Sequence, residues 1–189
     1  PSALHKLPSN TTFVATAVTN ERTRLSSAMS DVTFGTTVGV ELCLSWRPAS
    51  GSEIPDNAAD AGGECYVIRA EHKGEWVPGK LVRGQACAYI SFGGRELPVQ
   101  SYQVLVHSCT DRFGIGFTWA PVRDGVLPQR ALVAGSDRGS PLFVVRGKCN
   151  GEVCTGKAVL GHHRAYVPYG GEERALDSFE VLVFNCGSK

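Results

Sequence analysis

Short apolar runs, each broken by glycine, proline or charge, recur along the whole chain. Tyr66 to Ala70, Ala86 to Phe92 and Tyr102 to Val106 are short, aromatic and β-branched, as suits strands. Gly74, Gly79, Gly93-Gly94 and Pro98 punctuate them. No window sustains a 3.6-residue apolar period with helix caps, so the pattern predicts an all-β fold of short antiparallel strands. Upstream, Thr12-Phe-Val-Ala-Thr-Ala-Val18 and Thr33-Phe-Gly-Thr-Thr-Val38 read as two further strand-like pieces in a Thr- and Ser-rich segment.

The pattern also repeats. At a constant offset of 77, residues 66–107 and 143–184 are identical at 17 of 42 positions without a gap. Chance gives roughly two or three at ordinary composition. Both copies carry Gly-Glu-x-x-x-Gly-Lys, then Tyr-x-x-(Phe/Tyr)-Gly-Gly-x-Glu, then a closing apolar run. Upstream the offset is 73, aligning Trp46 with Trp119 and Ile54-Pro-Asp-Asn-Ala58 with Leu127-Pro-Gln-Arg-Ala131. The second copy therefore inserts four residues around Ser136–Ser140, which marks a surface loop. The chain divides into an unduplicated segment 1–42, a first repeat 43–110 and a second repeat 111–189. A sheet of three or four strands cannot bury both faces alone, so the copies must pack on each other, with strand exchange as one route. Trp46 and Trp119 then fall as core aromatics at the junction.

Composition changes little of this. Hydrophobic content of 42%, charged content of 20% and a net charge of +1 are ordinary for a globular protein and give no general pull toward nucleic acid. No apolar run approaches the 18 or so residues of a membrane-spanning helix, and no membrane insertion is expected. The chain begins at Pro1 with no signal peptide in view, as a processed or trimmed chain would. Seven cysteines and the Asn10-Thr11-Thr12 sequon tilt the expectation toward a secreted protein, with buried free thiols in a cytoplasmic protein as the alternative. Cys149 and Cys154 would then be placed to bridge a hairpin, Cys109 and Cys186 fall just past matching last strands, and one thiol is left over.

Catalytic signatures are missing: no nucleophile elbow, no phosphate-cradling loop and no His-Glu-x-x-His. No enzyme activity and no cofactor are expected. His162-His163 is a poor chelate because adjacent strand residues point to opposite faces, and the cysteines lack zinc spacing, so no metal site is expected. What does recur is polar and reads as turns: Glu75 with Lys80, and Glu152 with Lys157. Glu64 and Asp137 lie in the preceding loops, and Asp56 in the Ile-Pro-Asp-Asn-Ala stretch. Carboxylate acceptors and ammonium donors together suit vicinal sugar hydroxyls, which both donate and accept. The same residues also fit solvated hairpin turns kept for folding.

Ile54-Pro-Asp-Asn-Ala58, Pro78-Gly-Lys80, Tyr89-Ile-Ser-Phe-Gly-Gly-Arg-Glu96 and Tyr102-Gln-Val-Leu105 resemble the DM-nine repeat. That repeat occurs in tandem in mannose-binding lectins of bivalves and fused to a pore-forming module in natterin-like toxins. The resemblance covers about residues 43–186. It implies two interlocked antiparallel β subdomains, a carbohydrate site near their junction, mannose-containing glycans or glycoproteins as partners, a role in innate immunity and a homodimer. It places sugar contact on Lys80 and Lys157, with Asp137 as the loop acid of the second copy. In the first copy only Glu64 stands in the shortened loop, so the second site is expected to be the better one. No pore-forming module follows the repeats, and a toxin activity is not expected from this chain. The main alternative is a protein-interaction or structural module that binds no sugar.

Overall fold

The structure is a computed structural model that describes residues 31–34, 37–40, 44–107 and 116–185. The chain splits into two compact units, Pro1–Glu41 and Leu42–Lys189. In the first, β1 (Asp31–Phe34) pairs antiparallel with β2 (Thr37–Val40), from Asp31 opposite Val40 to Phe34 opposite Thr37. The stretch Thr33–Val38, read from sequence as one strand piece, thus belongs to two. Thr12–Val18, the sequon and Cys43, Cys109 and Cys186 lie outside the described residues.

The second unit is all-β. The first copy supplies β3 (Leu44–Ser50), β4 (Cys65–His72), β5 (Glu75–Val82), β6 (Ala88–Phe92), β7 (Arg95–Val99) and β8 (Ser101–His107). The second supplies β9 (Gly116–Pro121), β10 (Val133–Asp137), β11 (Ser140–Cys149), β12 (Glu152–Val159), β13 (Ala165–Tyr169), β14 (Glu172–Leu176) and β15 (Glu180–Asn185). The strand order is β3-β8-β4-β5-β6-β7-β14-β13-β12-β11-β15-β9, with β10 beside β11. Among the described residues no strand of one copy lies between strands of the other, so these strands are not exchanged between the copies. They meet edge to edge where Arg95 faces Glu172, flanked by Glu96 N–H to Gly171 O and Glu173 N–H to Gly94 O, both 3.1 Å.

Two sequence expectations change here. The Gly-Glu-x-x-x-Gly-Lys segments are strands β5 and β12, not turns. Gly79 and Gly156 sit within them because a Cβ there would lie 2.1 Å from Tyr89 O and 2.2 Å from Tyr166 O. The neighbouring strand passes too close for any side chain, and the glycine records a packing distance rather than a bend. The four-residue insertion, expected to be a surface loop, is the end of the β10–β11 hairpin, with Asp137 opposite Ser140.

The copies interlock through these hairpins. Trp76, beside the β4–β5 turn, presses its carbonyl against Gly135 of β10 so closely that a Cβ would lie 1.8 Å away. Val153, its counterpart beside the β11–β12 turn, packs on Gly62 and Gly63 of the first copy. Arg69 donates to Ala134 O at 3.3 Å, and Arg146 to Ala61 O at 2.9 Å. Arg69 lies between the Trp46 and Trp76 rings, 4.4 and 4.7 Å from their centroids, and Arg146 lies 4.8 Å from Trp119. Burial in this stack holds the Arg69 guanidinium down to about 10.

Between the copies lies a shared cluster: Ala59, Val67 and Leu105 from one, Ala134, Val144 and Leu182 from the other. Half-buried Trp46 and Trp119 pack against it. Burying Val67, Leu105, Val144 and Leu182 alone stabilises the junction by roughly 6–12 kcal/mol relative to exposed side chains. The apolar layer therefore holds the copies together, and the polar groups described below set their register.

Cys65, Cys87, Cys149 and Cys154 are free thiols, so the expected Cys149–Cys154 bridge is not formed. Register gives the reason: Cys149 faces Glu152, and Cys154 faces Gly147. Burial pushes the Cys154 thiol up to about 12 and also raises Cys65. Among the four described cysteines, half-buried Cys149 is expected to alkylate first in the native protein, with Cys65 and Cys154 resisting until unfolding. Mass mapping after timed alkylation checks this order.

Candidate functional site

The two repeat lysines are strand residues, and both are buried: Lys80 is 8% exposed and Lys157 5%. Each aims at the seam between the copies. The Lys80 ammonium lies 3.1 Å from Glu96 Oε1 and donates to Pro168 O of the other copy at 2.6 Å. The Lys157 ammonium lies 3.0 Å from Glu173 Oε1 and donates to Ser91 O of the other copy. Each glutamate reaches across as well. Glu96 Oε2 accepts from Gly171 N–H at 2.7 Å, and Glu173 Oε2 from Gly94 N–H at 2.8 Å.

The two glycine pairs present these amides for a local reason. Gly93-Gly94 and Gly170-Gly171 have φ of 60° and 82°, and 63° and 85°. Two successive left-handed residues make the tight turn whose twist matches the flanking strands. The turn closes β6–β7 and β13–β14 and aims its second N–H at the other copy's carboxylate.

Aromatic rings border both clusters. Lys80 Nζ is 5.2 Å from the Tyr169 centroid and 5.8 Å from Tyr89, and Lys157 Nζ is 5.1 Å from Phe92. An ammonium has three N–H donors, and each lysine uses two among the described residues. A carboxylate offers about four lone-pair sites, and each glutamate uses two among the described residues. Each cluster thus keeps a donor beside an acceptor, next to a ring.

The sequence candidates fall in three places. Lys80 and Lys157 form the paired clusters. Glu75 forms a lock between the copies: its carboxylate accepts from Arg138 N–H at 2.8 Å, Ser136 Oγ–H at 3.1 Å and Gly139 N–H at 3.3 Å. Glu64, at φ 58°, pairs with Arg83 at 3.2 Å, and Asp56 is exposed. The structure does not bring Asp137 to Lys157. Asp137 faces Ser140 of β11 from one side, and Lys157 faces Val144 from the other. Four residues along a strand and two strand spacings across put their Cα atoms roughly 16 Å apart. They cannot grip neighbouring hydroxyls of one ring. The carboxylates that partner the lysines are Glu96 and Glu173, which sequence reasoning passed over. Their signal was present: Gly-Gly-x-Glu stands at the same place in both copies. His162 and His163 are separated as well, His162 Nδ1 lying 3.2 Å from Tyr166 OH and His163 Nδ1 3.3 Å from Asp124 O.

The Arg138 amide, then the Gly139 amide and the Ser136 hydroxyl, hold the Glu75 carboxyl below its usual range. A depressed folded-state pKa means stability that is full above about pH 4.3, the unfolded carboxylate value, and lost as pH falls through the folded value. Glu75→Gln is therefore expected to lower the melting temperature at neutral pH. The gap to the parent should narrow as pH falls below about 4.3 and through the lowered folded-state value, where the parent's Glu75 also loses its charge. Thermal melts across that range check it.

The DM9 repeat family matches residues 59–176 and 136–188, which together take in both junction clusters. Natterin-4 of Thalassophryne nattereri is 30% identical over 148 residues, 75% of this chain but 34% of that protein, so the chain spans about a third of that relative's length. Among solved structures, the nematode sperm cell motility protein MFP2B is similar in fold. The TM-score is 0.56 and identity 23%, covering 77% of this chain and 47% of that one. The duplicated all-β architecture and the family match agree: the chain belongs to the DM9 repeat family.

Proposed function

We propose that this protein is a carbohydrate-binding module without catalytic activity, which takes mannose and high-mannose glycans at the Lys–Glu clusters of the repeat junction. The supporting observation is the pairing, built twice, of an ammonium with a spare donor and a carboxylate with spare acceptor capacity, 3.0–3.1 Å apart. Adjacent sugar hydroxyls need that combination, and the bordering Tyr and Phe rings offer an apolar face to the sugar's C–H groups. Mannose is the sugar implied by the resemblance to tandem-repeat lectins. The same reading carries export from the cell, a role in recognising foreign glycans and a homodimer.

Among the described residues each cluster has one carboxylate, too few for a calcium cage of six to eight oxygens. Binding is therefore expected to survive EDTA. The test is retention on a mannose resin and release by soluble mannose, with and without EDTA. One observation favours a second reading, a structural module: both lysines donate to carbonyls of the opposite copy and so also tie the repeats together. A protein that passes through the resin unretained would support that reading and remove the first.

A further inference from the structure

The two clusters are built alike, but their aromatic rings are not equally free. At the Lys157–Glu173 cluster, the Phe92 ring carries the His72 ring at 4.6 Å between centroids, and the Lys73 ammonium at 5.1 Å. Tyr166, directly opposite Lys157 across β12 and β13, carries the His162 ring at 5.8 Å, with His162 Nδ1 3.2 Å from its hydroxyl. At the Lys80–Glu96 cluster the corresponding rings are Tyr169 and Tyr89. Among the described residues no histidine ring lies against either of them.

Sequence accounts for the difference. By the offset of 77, His72, Lys73 and Gln85 of the first copy correspond to Cys149, Asn150 and His162 of the second. The rings cross the seam, so the first copy's hairpin tip covers the ring beside the second copy's lysine. At the matching positions the second copy's tip carries only the shorter side chains of Cys149 and Asn150. The remaining asymmetry points the same way: Tyr169 has a phenol hydroxyl for a ligand where Phe92 has none.

We propose that the Lys80–Glu96 cluster is the working glycan site of this chain, and that His72, Lys73 and His162 obstruct the Lys157–Glu173 cluster. This rests on the carbohydrate reading above and reverses the ranking expected from loop lengths. A sugar entering beside Lys157 would have to displace the His72 ring from Phe92 and break the His162–Tyr166 contact. One entering beside Lys80 meets tyrosine rings on which, among the described residues, no histidine lies.

The experiment is titration calorimetry of the whole chain with methyl α-mannoside. The parent should bind one equivalent. Tyr169→Ala should weaken binding by about tenfold, the scale of losing an aromatic platform. The triple variant His72→Ala, Lys73→Asn, His162→Gln should bind two equivalents. Its changes lie at half-buried or exposed positions, and Asn suits the left-handed backbone at residue 73, as Asn150 does in the second copy. Two equal sites in the parent, unchanged affinity in Tyr169→Ala, or a single site in the folded triple variant would each overturn the proposal while leaving carbohydrate binding intact. No heat of binding in the parent would overturn the carbohydrate reading itself, and this proposal with it.

Discussion

Lys157→Ala is expected to destabilise the protein by about 3 kcal/mol, the low end for breaking a buried ion pair by removing one partner. The lysine and glutamate side chains are 6% and 13% exposed, so removing the ammonium strands the Glu173 carboxylate in a mostly dry seam. The Ser91 carbonyl loses its donor at the same time. A surface turn lysine would instead change stability within about 0.5 kcal/mol. The paired variant Lys80→Met with Glu96→Leu separates folding from binding. Replacing both members of such a pair with apolar residues of similar size is often neutral for stability. The variant avoids a stranded buried charge and should melt closer to the parent than Lys157→Ala does, short of it by the unpaired Pro168 carbonyl and Gly171 amide, and it should lose its affinity for mannose. Chemical denaturation with a binding assay on the same preparations checks both halves.

Gly135→Ala should cost about 3 kcal/mol, the upper end for overpacking, because the new methyl would lie 1.8 Å from a backbone carbonyl and not from a flexible side-chain end. Trp76 O can retreat only if the β4–β5 hairpin lifts off β10. That would pull Glu75 from its Arg138 and Gly139 amides and the Trp76 ring from Arg69. Gly51→Ala is the comparison: it has open space around it and pays only for φ of 60°. That costs roughly 1–2 kcal/mol. A denaturation midpoint that falls further for Gly135→Ala than for Gly51→Ala supports the interlock. Equal falls would mean that the hairpin is not wedged there.

The duplication was legible because it is written in identities. It led directly to antiparallel strands in two like halves and to a buried junction. The chemistry of the lysines was less legible, for a definite reason. Gly-Lys read as a hairpin turn because glycine beside lysine is common there, whereas Gly79 and Gly156 exist to let a neighbouring strand approach. Periodicity along one strand cannot show what the next strand's backbone requires. Asp137 drew attention because its loop changes length, yet that loop serves Glu75. Glu96 and Glu173 escaped notice because their lysines sit 16 residues earlier in sequence, 80 to 96 and 157 to 173, and meet them only through the fold. The histidine caps were beyond sequence reasoning altogether. His72 covers a ring of its own copy two strands away, from β4 to β6, and His162 covers Tyr166 from just before β13; no spacing rule links His72 to Phe92.

The most direct measurement is the amide spectrum of the isotopically labelled chain as methyl α-mannoside is added. Glu96 N–H bonds Gly171 O, and Gly171 N–H bonds the Glu96 carboxylate, so both report on the Lys80 cluster without any mutation. A sugar seated there should shift the Glu96 and Gly171 amides first, with Tyr169 and Tyr89 following. Shifts confined to Ser136–Gly139, or a spectrum unchanged at saturating sugar, would contradict a glycan site at the repeat junction.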